Sequence, residues 1–86
     1  MSKEFKLLEQ RCFVIEDDES RREYDLYLAQ ETCRDAEVVA VYVGKIDSQP
    51  YLVARYLPED VYEGALAANL DIWAGMVDMF ESLNNK

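Results

Sequence analysis

The chain contains no histidine, and it has only nine lysine and arginine residues against eighteen aspartates and glutamates. Without imidazole, the usual general base near neutral pH and the nucleophile–histidine pairs of hydrolases are missing, so no enzymatic role is expected. Cysteine is scarce as well: Cys12 and Cys33 stand twenty-one positions apart with no CxxC spacing. That spacing lacks the usual zinc ligand set, so neither a metal nor another cofactor is expected and both thiols are read as reduced. No apolar run approaches the ~20 residues of a membrane span, and the opening MSKEFK lacks the apolar segment of a secretory signal. A cytosolic address with no membrane partner follows as the expectation.

What the chain does have is enough apolar material to fold. Half of its 86 residues are hydrophobic and ten are aromatic, six of those tyrosine, which excludes a disordered polymer despite a net charge of −9. The length suits one acidic domain over residues 1–86, with a single modest core. Acidity becomes less diluted along the chain: residues 1–45 hold seven basic and eleven acidic side chains, and residues 46–86 hold two and seven. Such a surface repels nucleic acid directly and attracts basic protein surfaces, including those that themselves bind nucleic acid.

Four segments read as strands. Arg11–Glu16 contains Cys-Phe-Val-Ile, a run of strand formers, while residues 3–10 fit helix and strand equally. The acidic run Glu16-Asp17-Asp18-Glu19 reads as a turn. Ser20 and Glu23 have the spacing of a helix capping box, yet Tyr24, Leu26 and Leu28 alternate, and the alternation favours a strand. ETCRDAE (31–37) reads as a polar connection. Glu37–Ile46 is apolar on both faces and should be a central strand; Asp47–Pro50 turns the chain into a returning strand, Tyr51–Leu57.

From Pro58 onward the sequence predicts one helix, with proline at its first position and Glu59 and Asp60 in the first turn. Val61, Ala65, Ala68, Ile72, Met76, Met79 and Leu83 form one apolar stripe. Tyr62, Leu66, Leu70, Trp73, Val77 and Phe80 form a second beside it, and together they cover roughly 200° of arc. One sheet needs little more than ~100°, so a homodimer or partner seam is expected at Tyr62, Leu66, Trp73, Val77 and Phe80. A helix of this length should also overhang strands of ordinary length. The fold class is thus α+β, an antiparallel sheet of three to four strands packed by a long C-terminal helix.

Glu63, Asp71, Asp78 and Glu81 fall within roughly 80° on the side away from the two stripes, with no basic residue at i+4 to pair them. With Asp17, Asp18, Glu59 and Asp60 they form the candidate partner-binding carboxylates. Among the tyrosines, Tyr27 and Tyr62 read as surface contacts. Small size, acidity, tyrosine content and an over-wide helix give the chain the character of phage-encoded antagonists such as anti-CRISPR and anti-restriction proteins, and of immunity proteins, with no motif behind the likeness. The expected function is stoichiometric inhibition of a nucleic-acid-handling enzyme or nucleoprotein complex through charge complementarity to its basic groove. The competing expectation is a homodimeric adaptor or chaperone-like protein that uses the apolar stripe.

Overall fold

The computed structural model describes residues 5–84, which form four antiparallel strands and one long helix: β1 (Phe5–Glu16), β2 (Arg21–Cys33), β3 (Ala36–Lys45), β4 (Tyr51–Tyr56) and α1 (Glu63–Asn84). Strand order in the sheet is β1-β2-β3-β4, a meander of consecutive hairpins, and the helix lies across one face. The α+β architecture read from the sequence is the one observed. Residues 3 and 4 of the ambiguous opening segment, and residues 85 and 86 of the expected helix, lie outside the described residues.

The first hairpin settles the conflict at Ser20 and Glu23 in favour of the strand. Asp17 closes the turn: its Oδ1 accepts from the amides of Glu19 and Ser20, each at 2.9 Å, and its own amide donates to the Ser20 carbonyl at 2.9 Å. With the turn satisfied by this carboxylate, a capping box has no helix to start. β2 then leaves with Tyr24, Leu26 and Leu28 alternating into the core. β1 pairs along nearly its whole length with one register shift between Leu7 and Glu9, which resolves the described part of the ambiguous opening segment as strand.

The connection expected over 31–37 is only two residues long. Pairing continues through Thr32 with Glu37 and Cys33 with Ala36, leaving Arg34 and Asp35 at φ of 51° and 68°. Two consecutive left-handed residues give the twist that a tight hairpin needs, and aspartate tolerates that conformation. Polarity marked the segment as a loop, but hydrogen bonding to the neighbouring strand prevailed.

The helix begins later than Pro58. Pro58–Asp60 make one 3₁₀ turn, Val61 is extended at φ −92° and ψ 114°, and the Tyr62 carbonyl accepts the first helical bonds from Ala65 and Leu66 at 3.0 and 3.1 Å. Val61 breaks the run because its side chain packs against the core. Asn69 does not break it, since its side-chain amide donates to the Ala65 carbonyl at 2.8 Å within the helix. Twenty-two residues span ~33 Å, whereas the thirteen of β2 reach ~40 Å. The expected overhang is therefore reversed: the long β1–β2 hairpin extends beyond the helix.

The core lies between helix and sheet. Tyr24, Leu26, Val41 and Val43 from the sheet meet Leu66, Trp73, Ala74 and Val77 from α1, with Phe13 stacked on Tyr24 at 5.2 Å between ring centres. Burying these side chains is the main stabilising term, each large one contributing ~1.5–3 kcal/mol before the entropy of ordering is subtracted.

Candidate protein-binding surface

The helix presents its two apolar stripes differently. Leu66, Trp73 and Val77 are buried against the sheet of their own chain, and Phe80 is half-buried with its ring 5.2 Å from that of Tyr51. Four of the five expected seam residues thus belong to the intrachain packing, because the sheet takes the bulkier, aromatic stripe. Tyr62 stands out in solvent at 65 % exposure, and the other stripe divides: Ala68, Ile72, Met79 and Leu83 are exposed, whereas Val61 and Met76 pack against the core.

The carboxylates also separate. Glu63 accepts two bonds from the Arg11 guanidinium, at 2.9 and 2.6 Å, and this contact holds its carboxyl below the usual range. Asp78 turns towards the sheet, where it accepts from the Tyr24 hydroxyl at 2.9 Å and from Arg22, with the Lys45 ammonium 3.8 Å away. Glu81 is half-buried and accepts from the Tyr51 hydroxyl at 3.1 Å. Asp17 is engaged in its turn, and the amides it receives hold its carboxyl low as well. Three of the four expected ridge carboxylates, Glu63, Asp78 and Glu81, therefore take partners from strands instead of from i+4. Asp18, Glu59, Asp60 and Asp71 are exposed and make no ion pair among the described residues.

Tyr24 gives this polar flank a pH signature. Its hydroxyl is pushed up to about 12, first by burial and then by the Asp78 carboxylate, from the ordinary value of 10.0. Between those values the unfolded chain binds fewer protons than the folded one, so stability falls as pH rises. The contribution, ~3 kcal/mol for two pKa units, is fully present below pH ~10 and lost by about pH 12. Urea midpoints measured across this window should fall in the wild type and fall less steeply in Tyr24→Phe, which has no proton to lose there.

A further feature occupies the sheet face opposite the helix. Leu7, Tyr27, Ala29, Tyr42 and Pro50 line an apolar cleft of about 340 Å³. Ala29 pairs with Ala40 across β2 and β3, and both are closed to solvent although no helix covers that face among the described residues. Pro50 forms a wall because Gly44 lets it: a Cβ at Gly44 would stand 2.7 Å from the Pro50 Cα. The Tyr42 hydroxyl donates to Glu31, which together with burial raises its pKa; Tyr27 is raised by burial and by Asp25. Cys12 Sγ donates to Asp25 Oδ1 at 3.1 Å, and this bond, followed by desolvation, pushes the thiol above its ordinary value. The two cysteines are unbridged. Sequence reasoning marked Tyr27 as a surface contact and β3 as apolar on both faces, but the cleft itself depends on cross-strand register and on the folded-back turn.

No protein-family model, curated protein or solved structure matches this chain. Among the described residues, no helix is long and apolar enough to cross a membrane.

Proposed function

We propose that this chain is a stoichiometric protein-binding inhibitor that occupies the basic groove of a nucleic-acid-handling enzyme or nucleoprotein complex, in the manner of anti-defence or immunity proteins. It would act in the cytosol, that of the host if the chain is phage-encoded. The observation that carries the reading is the unneutralised charge: a net −9, with Asp18, Glu59, Asp60 and Asp71 exposed and outside any ion pair among the described residues. Exposed like charge of this kind accelerates encounter with a basic surface and excludes nucleic acid from the same surface. Capture of the partner from the producing cell, followed by competition with its nucleic acid, tests this. The partner should bind either the nucleic acid or this chain, one to one; a stable ternary complex would contradict the reading.

A second reading, a homodimeric adaptor, is favoured by the outward stripe of Ala68, Ile72, Met79 and Leu83, with Ile72 and Met79 at 59 % and 58 % exposure. On this reading sedimentation equilibrium shows a dimer at micromolar concentration, and Ile72→Glu with Met79→Glu restores the monomer. A single monomeric species up to about 100 μM, well above a useful affinity, removes it.

A further inference from the structure

We infer that the helix-free face of the sheet is the anchor site for the basic partner: an aromatic or long apolar side chain of that partner enters the cleft between Tyr27 and Tyr42, while lysines or arginines flanking it meet Asp25 and Glu31. This rests on the reading of the chain as a binder of basic protein surfaces and specifies where the contact is made. It moves the site away from the helix, where Glu63, Asp78 and Glu81 are already engaged by their own sheet.

The geometry supports a side chain as the occupant. At about 340 Å³ the cleft lies at the small end of the ~300–1,000 Å³ range of ligand pockets, which suits one large side chain better than an extended cofactor. Ala29 lies closed beneath it, and its walls are tyrosines, leucine and proline, of which the tyrosines and proline lose little entropy when they are covered. Pro50 is seated against Gly44, so that wall is fixed before any partner arrives.

Charge supplies the rest. Side chains two positions apart on a strand share a face at ~6.7 Å spacing, so Asp25 lies one step beyond Tyr27 and Glu31 one step beyond Ala29. The two carboxylates bracket the cleft along β2, and neither has a cation within ion-pair distance among the described residues; their hydrogen bonds come from Cys12 and Tyr42. Glu23, next along the same strand, is neutralised by Arg21. Arg55 stands on the same face on the β4 side, opposite Ala40, and so directs a partner's cations towards β2. An apolar hole between two carboxylates, on a chain of net −9, is complementary to a basic segment with one bulky apolar residue at its centre.

Amide NMR titration of the isotope-labelled protein tests this with three probes: a blocked peptide of four lysines around a central tryptophan, its alanine twin, and neutral N-acetyltryptophanamide. The tryptophan peptide should shift the amides of Tyr27, Ala29, Tyr42 and Gly44, bind about tenfold more tightly than either other probe, and weaken with salt. Leu7→Lys, at a position 50 % exposed on the rim, should cost about tenfold in affinity while leaving spectral dispersion intact. Shifts confined to Glu59, Asp60 and Asp71 would overturn the cleft as the anchor site and leave the basic-partner reading standing. Equal binding of the neutral amide would overturn the partner assignment in favour of a small apolar molecule. No shift from any probe would remove both readings.

Discussion

Replacing Trp73 with alanine should cost ~3–5 kcal/mol, the range for truncating a large buried aromatic, and lower the urea midpoint by more than half. The ring is 3 % exposed and sits edge-on to Tyr56, with centroids 6.5 Å apart at 65°. A domain of this size has a net stability towards the low end of ~5–15 kcal/mol, so one cavity consumes most of it. Urea unfolding followed by far-ultraviolet circular dichroism gives the answer. The packing described above requires the loss to fall on the fold of a single chain. A Trp73→Ala protein that remained fully folded but had changed its state of association would return Trp73 to an intermolecular seam.

Asp78→Lys should be the most damaging charge reversal on the helix. It removes the acceptor of the Tyr24 hydroxyl and of Arg22, and places an ammonium where Lys45 already lies 3.8 Å from the carboxylate. Arg22 already has a buried Nε without a partner among the described residues, so losing Asp78 leaves its guanidinium still less satisfied. Breaking charge-assisted bonds in a half-buried site costs ~3 kcal/mol. Asp71→Lys, two turns earlier on nearly the same helix face and exposed, should shift stability by less than ~0.5 kcal/mol. Parallel urea titrations of the two variants compare them directly, and equal small effects would mean that Asp78 is as solvated as Asp71.

That contrast shows where sequence reasoning stops. Alternation in Tyr24, Leu26 and Leu28 and the apolar run of Glu37–Ile46 locate the strands because a period of two is a local property, and short turns between them force an antiparallel meander. Helical phase likewise separates the two apolar stripes, but phase alone does not say which stripe meets the sheet. Trp73 and Val77 go inward and Ile72 and Met79 outward because the aromatic stripe fills the volume over Tyr24, Val41 and Val43, a matter of tertiary packing. Asp78 looked free because only i+4 neighbours are visible along a helix, whereas Arg22 and Lys45 come from strands distant in sequence. The cleft was hidden for the same reason: Leu7, Ala29 and Pro50 meet only once the register of three strands and the contact at Gly44 are set.

Binding to a basic surface by exposed charge makes the association rate depend on ionic strength. With the captured partner, association rates should be measured across a salt series for the wild type and for a Glu59→Lys/Asp60→Lys/Asp71→Lys variant, whose three positions are all exposed. The wild-type rate should fall steeply as ionic strength rises and the screening length shortens to ~8 Å near physiological salt, and the folded variant should associate slowly at every salt concentration. A wild-type rate that does not change with salt, matched by an unchanged rate in the variant, would contradict the claim and leave the acidity as a means of keeping the protein dispersed.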